Sequence, residues 1–354
     1  MSPRFVIVCG SGGVGKTTTS AAVGLNAARA GERVLVVTVD PARRLAQALG
    51  VVSIGHEPVR VDVDGTGSLA VSMLDTKAGW DSLIRRHARD AKSAERVLRN
   101  PLYDNITARF VNSHDYIAME QINELSSSAG FDLVVIDTPP SRNALDLLDA
   151  PRRMREFFGG RLLQWLTLPY RSRLLTLASK PFLQIADRLL GAQFLGDIAE
   201  FFTLLQSMEA GFVARAREVE SLLTSDRVGF VVVTTAEPAA TREAAYMASE
   251  LARRRYALDR VVVNRLALDG GVEDLPSRDE VAANVPTVDA EVALAGMTAA
   301  FAHHRATALR HAEGVGSLRT LATDVVLVPE STGAGERSGP GSVLEAIATA
   351  LRGA

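Results

Sequence analysis

Residues 9–20 read CGSGGVGKTTTS, in which Gly10, Gly15, Lys16 and Thr17 complete the spacing GxxxxGK[ST]. A loop of this kind, placed after a strand and opening a helix, is built to hold phosphate. Its glycines let successive backbone N–H groups curl around the oxygens, and the helix N-terminus adds positive potential. The backbone from Gly12 and Gly13 through Val14 and Gly15 to Lys16 supplies that cradle, and Thr17 and Thr18 open the helix. Lys16 is placed to bridge the β and γ phosphates and the Thr17 hydroxyl to ligate a metal, so ATP with Mg2+ is the expected ligand pair. Two acidic residues stand just past other strand-like runs. Asp137, in VVIDTPP, is the type of carboxylate that holds the Mg2+ shell through water. Asp40, in VVTVDPARRL, is placed to orient an attacking water or accept its proton, close to the same metal. Either could instead cap the turn that follows its strand.

The bulk composition narrows the partners. With 354 residues and 47% hydrophobic content the chain can bury a large core. Its 39 basic and 41 acidic residues leave a formal net charge of -2, which argues against a nucleic-acid partner. The single cysteine, Cys9, excludes an intrachain disulfide and any multi-cysteine zinc or metalloid site built from one subunit. The start, MSPRFVIVCG, reads as a buried first strand rather than a signal or anchor, which places the chain in the cytoplasm with peripheral membrane association left open. Only four basic residues are lysines, and Lys16 is one of them. The loop needs a compact ammonium there, where a branched guanidinium would not fit.

These residues need strands to position them. RFVIVCG, RVLVVTVD, FDLVVIDTPP, RVGFVVVTT, LDRVVVNR and TDVVLVPE are short β-branched runs, each followed by a helical pattern. That alternation predicts an α/β fold with a doubly wound, mostly parallel sheet and ligands at the carboxyl ends of its strands. Residues 77–128 and 151–225 break the alternation with Leu- and Phe-rich helical spacing, and predict a helical subdomain inserted into one P-loop domain spanning 1–354. The apolar helices of residues 151–225 either pack on one another, the favoured reading, or form a groove for a hydrophobic client helix. The Gly/Ser-rich stretch 331–342 predicts a loop before a short last helix.

GSGGVGKTT, VDPARRL, SHDYIAMEQINEL, DTPPSRNAL, TTAEPAATREA and VVVNRL together resemble the ArsA-like ATPases, which include the arsenite-pump ATPase and the targeting ATPase for tail-anchored membrane proteins. The resemblance implies a deviant phosphate loop, a first switch at Asp40, a second from Asp137 to Leu145, adenine recognition by Asn264, and a nucleotide-bridged dimer. Read alone, Asn264 is equally a turn residue. Glu237 and Glu243 also match family positions, as neighbours of the site rather than members of it.

The departures carry as much weight. The family loop reads G-K-G-G-x-G-K, its first lysine reaching the partner subunit's nucleotide, and here that position is Ser11. A hydroxyl cannot offset charge on the transferring phosphoryl group, where a cation supplied in trans is worth on the order of 10³ to 10⁵ in rate. Weak hydrolysis by a homodimer is therefore expected. It would be rescued by a heterodimer with a lysine-bearing paralogue, the favoured route, or by Arg142 inside the second switch. Asn143 and Arg43 stand where the family commonly has histidines. The cysteine count gives this chain neither the arsenite site nor the intersubunit zinc of its relatives. The competing readings are a catalytically weak regulatory scaffold and a ParA/MinD-like positioning ATPase, the latter disfavoured by the helical insert and balanced charge. His303, His304 and His311 lie on one expected helix without a carboxylate or cysteine at ligand spacing, so solvated surface is expected rather than metal.

Overall fold

The computed structural model describes residues 3–39, 44–103, 113–125, 130–138, 145–158, 192–268, 275–285, 287, 289–320, 322, 324–330 and 340–353. In chain order the described elements are β1 (Arg4–Gly10), α1 (Lys16–Arg29), β2 (Arg33–Thr38), α2 (Arg44–Leu49), β3 (Val59–Val61), β4 (Ser68–Met73), α3 (Thr76–His87), α4 (Ala91–Leu98), α5 (Ser113–Leu125), β5 (Leu133–Asp137), α6 (Leu145–Phe158), α7 (Ala192–Ser207), α8 (Glu209–Leu223), β6 (Val228–Thr235), α9 (Pro238–Arg253), β7 (Ala257–Leu266), α10 (Arg278–Asn284), α11 (Ala290–Arg319), β8 (Val325–Pro329) and α12 (Pro340–Arg352). They fall into two compact units, one of Met1–Arg4, Met73–Asp132 and Asn143–Val228, the other of Phe5–Ser72, Leu133–Arg142 and Gly229–Ala354.

The second unit holds the sheet, with strand order β3-β4-β2-β5-β1-β6-β7-β8. β2 pairs with β5, β6 with β7 and β7 with β8 in parallel, while β3 and β4 form an antiparallel hairpin at one edge. The six strands expected from sequence are present. The edge pair was not legible, because VRV is three residues long and SLAVSM lacks a β-branched run. β5, LVVID, is buried at every residue, as a parallel strand covered on both faces must be. Val8, Val36, Val135, Val233 and Val262 carry the core across the sheet, and Leu25 of α1 and Ile347 of α12 join it.

α1 stops at Arg29, and Gly31 turns the chain with φ 100°. The Gly31 N–H bonds back to the Ala28 carbonyl and the Glu32 N–H to that of Ala27, the paired bonds of a Schellman turn. α12 is fixed on α1 by the Asn26 amide, which donates to the Ala348 carbonyl at 2.7 Å, and by the Arg29–Glu345 ion pair. β1 has β5 on one side and β6 on the other, so its carboxyl end is where the winding reverses, the usual place for a ligand in such sheets.

The first unit is helical, comprising α3 to α8. Phe212 of α8 packs against Trp80 and His87 of α3, with ring centroids 6.4 and 5.4 Å apart. Gly211 permits that approach, since a Cβ there would stand 2.3 Å from His87 Nδ1. Glu120, buried on α5, accepts from Arg215 Nε at 2.5 Å and lies 3.6 Å from Arg86. Burial pushes its carboxyl up and the Arg215 pairing opposes the shift. Residues 159–191 of the expected helical insertion, and 331–339 of the expected loop, lie outside the described residues.

Gly10 closes β1 with φ 146°, and a Cβ at this position would stand 2.1 Å from the Val233 carbonyl oxygen of β6. Backbone lies on both sides, so neither can yield. Gly10→Ala is expected to cost upwards of about 3 kcal/mol. Gly13→Ala, at positive φ but facing open space, should cost only about 1 kcal/mol. Urea denaturation of the nucleotide-free protein compares the two.

Candidate functional site

The phosphate loop leaves β1 at Gly10 and enters α1 at Lys16. Gly15, in the left-handed region at φ 101° and ψ 23°, is the helix N-cap, and no side chain caps the first turn. The first N–H groups of α1 are thereby left for an anion. A Cβ on Gly15 would fall 2.3 Å from Asn264 Nδ2, so the loop and the end of β7 approach through a missing side chain. Lys16 is buried, 6% exposed, and its Nζ donates to the Ser11 carbonyl at 2.9 Å. The ammonium is thus held within the loop it belongs to.

Asp137, the last residue of β5, is fully buried. The β2–β5 register sets Thr38 directly beside it, and the Thr38 hydroxyl donates to Oδ2 at 3.0 Å. From α1, the Ser20 hydroxyl lies 3.3 Å from Oδ1 and 3.0 Å from the Lys16 carbonyl, and the Thr17 side chain stands near enough to the carboxylate to favour its charged form. Burial pushes the Asp137 carboxyl from 3.8 up to about 6, against the pull of Thr17, Thr38, Lys16 and Ser20. The arrangement suits Mg2+ with a nucleotide: the Thr17 hydroxyl at the loop's end stands near a buried acid, and Gly13 faces open space where a methyl would otherwise stand.

Two cavities flank the loop. One, of about 450 Å³, is lined by Gly13, Gly15, Lys16, Thr17 and Thr18 together with Arg44, Thr138 and Arg265. The other, of about 660 Å³, is lined by Ser11 to Val14 and by Glu237, Glu243, Arg265, Thr307, His311 and Glu330. Asn264 is buried where β7 runs beside β6, opposite Thr235; its Nδ2 donates to the Val14 carbonyl at 2.9 Å and its Oδ1 accepts from the Arg265 N–H at 2.9 Å. One amide proton and one lone pair remain for a base edge.

The expected members Gly12, Gly13, Val14, Gly15, Lys16, Thr17, Thr18, Asp137 and Asn264 converge at one end of the sheet. Asp40, Arg43, Arg142 and Asn143 lie outside the described residues. Sequence reasoning passed over Ser20 and Thr38, whose roles depend on register, and Arg265, which lines both cavities from a left-handed backbone at φ 55°. Strain of that kind at a non-glycine residue costs on the order of 1 kcal/mol and tends to gather at working sites.

One expectation is corrected. His303 and His304 are exposed, but His311 is buried, because helical spacing sets it in the inward stripe of Ala308, Val315 and Leu318. Its Nδ1 accepts from the Ala267 N–H at 3.0 Å, which leaves the proton on Nε2, 3.3 Å from Glu237 Oε1.

A glycine cradle after the central strand, a buried lysine at the helix start and a buried acid ending the neighbouring strand define a P-loop nucleotide-binding fold. The chain belongs to the anion-transporting ATPase (ArsA) family, whose model matches residues 3–284. It is 29% identical to a putative arsenical pump-driving ATPase of Halobacterium salinarum over 162 residues, 44% of this chain and 24% of that protein. An ATPase GET3 of Malassezia globosa is 27% identical over 42% of this chain and 43% of its own length. The ATPase get3 of Schizosaccharomyces pombe is 24% identical over 76% of this chain and 75% of its own. The chain thus spans less than half the length of the first two. Among the described residues, no helix is long and apolar enough to cross a membrane.

The acid at β5 gives a pH signature in the absence of nucleotide and metal. Its folded value lies above its ordinary one, so the folded state holds the extra proton between about pH 4 and 6, and stability falls as pH rises through that window. Asp137→Asn lacks this contribution, so the difference between variant and parent across the window isolates it. The variant is expected to match the parent near pH 4 and to exceed it by up to about 3 kcal/mol above pH 6, read from denaturation midpoints.

Proposed function

We propose that this chain is a Mg2+-dependent ATPase that works as a dimeric switch, coupling nucleotide state to its helical unit. The observation that carries the reading is the buried Asp137, bonded by Ser20 and Thr38, at the foot of the glycine cradle that ends in Lys16 and Thr17. In this reading the N–H groups from Gly12 to Lys16 and the Lys16 ammonium bind the phosphates. Thr17, Asp137 and Asp40 hold Mg2+, which when bound neutralises charge building on the β and γ oxygens. Asp40 orients the attacking water and Asn264 reads the adenine edge. β5 leads through the second switch into α6, so ordering that segment by the γ-phosphate and releasing it on hydrolysis would carry the signal in sequence. The helical insertions 77–128 and 151–225 are the proposed receiving subdomain, for a partner or a hydrophobic client helix.

Arsenite is not its substrate in this reading. Cys9 is buried in β1 and desolvation pushes its thiol up to about 12, which withholds the thiolate a metalloid needs. The location proposed is cytoplasmic, peripheral to a membrane at most.

Ser11 favours slow hydrolysis by a homodimer and, as a second reading, a nucleotide-binding scaffold that acts through a lysine-bearing paralogue. Steady-state ATP turnover of the purified chain separates these. Lys16→Ala should abolish activity and lower ATP affinity at least about 10-fold. Ser11→Lys should raise turnover about 10-fold or more, as should adding a lysine-bearing partner to the parent chain. Arg142→Ala leaves the parent's slow rate unchanged if the mixed dimer is the true form, and removes it if Arg142 supplies the cation. Fast turnover in the parent, indifferent to both Ser11→Lys and Arg142→Ala, would overturn the premise that a trans cation is missing.

A further inference from the structure

β7 ends irregularly. Val263 pairs with Leu327 of β8 and Leu266 with Pro329, so Asn264 and Arg265 together stand opposite the single residue Val328. Pairing with β6 reaches its end at the same point, with Thr235 opposite Asn264. Two residues against one make a bulge, a device that re-aims side chains and gathers beside functional sites. Arg265 closes it at φ 55°, and the turn is held by its N–H, which donates to Asn264 Oδ1 at 2.9 Å. Glycine would take that left-handed backbone freely, so an arginine here costs stability.

The side chain is what the bulge delivers. In a regular strand consecutive side chains leave opposite faces. Here both residues serve the phosphate loop: Asn264 Nδ2 bonds the Val14 carbonyl, and Arg265 shares with Gly13 the lining of both cavities. Those cavities differ in charge. The larger carries the carboxylates Glu237, Glu243 and Glu330. The charged lining of the smaller, among the described residues, is Lys16, Arg44 and Arg265, with no carboxylate. Arg265 is exposed, and among the described residues its guanidinium makes no ion pair or hydrogen bond, although three carboxylates line the larger cavity that it borders. Three cations around one space of about 450 Å³ repel one another until an anion enters, and a planar fork of donors suits phosphate oxygens.

We propose that Arg265 is a polyphosphate-binding residue, whose guanidinium donates to the nonbridging oxygens of the nucleotide's phosphate chain and adds to the charge of Lys16. This rests on the nucleotide reading above. It extends the phosphate contacts, which that reading draws from the loop alone, to a side chain of β7.

Isothermal titration of the purified full chain with MgATP, and separately with magnesium tripolyphosphate, reads the contact. Arg265→Ala is expected to weaken both ligands about 10-fold or more, as loss of a charge-assisted hydrogen bond does. Arg265→Lys keeps the charge but not the fork, and should recover part of that loss for both ligands. Arg265→Gly should bind as poorly as Arg265→Ala. Its urea midpoint without nucleotide should equal or exceed the parent's, because glycine suits φ 55°, which separates lost affinity from lost fold. Arg319→Ala makes the same change of net charge in the last turn of α11 and should bind as the parent does.

Arg265→Ala and Arg265→Gly chains that hold both ligands as tightly as the parent overturn the proposal and leave the nucleotide reading in place. A loss confined to MgATP, with tripolyphosphate unaffected, also overturns it, because the contact then falls on the base or the ribose. A parent that takes up neither ligand ends both readings together.

Discussion

The site depends on burying one carboxylate where nothing apolar could take its place. Asp137 has no solvent contact, and the hydroxyls that accompany it come from separate pieces of chain: Thr17 and Ser20 from α1, and Thr38 from β2. Each arrival is conditional. Thr38 meets Asp137 because β2 and β5 pair with those residues level, and a slip of one position would turn Thr38 to the other face. Ser20 and Thr17 meet it because they lie one helical turn and a neighbouring position apart at the start of a helix that must begin at Lys16. Loop position, helix start and strand register are thus fixed together.

The helical unit contains a second buried acid, and the contrast shows what makes the first one suited to a cation. Glu120 is met by guanidinium groups of Arg215 and Arg86, so its charge is largely cancelled in place. Asp137 is met mainly by neutral hydroxyls, with Lys16 acting only at a distance. Hydroxyls orient a carboxylate without discharging it, and the residual negative field remains available to a divalent ion held through Thr17. Both acids satisfy the need to compensate burial. Only one keeps its field.

Much of this was legible in the sequence where a single local rule sufficed. The glycine spacing and the six β-branched strands each follow from short-range chemistry, and each appears at its expected place. What escaped had a long-range cause. Thr38 and Ser20 are ordinary hydroxyl residues until register and helix position bring them to Asp137, 99 and 117 residues away in sequence. His311 read as one of three surface histidines because its neighbours at 303 and 304 drew attention to a cluster, whereas its own helical phase placed it inward. Arg265 gave no signal, since a left-handed arginine is a property of the folded backbone and not of composition. The β3–β4 hairpin escaped through brevity.

The close approach of Gly10 to β6 sets the mechanical character of the loop. With its root pinned against Val233 and its far end committed to the first turn of α1, the loop has only Ser11 to Gly15 in which to change shape. An arc that short, crossed from within by the Lys16 side chain, behaves as a stiff bracket and not as a flap. It must select its guest by the size of a tetrahedral group already matched to the arc, which leaves larger adjustments to the segments that approach from outside.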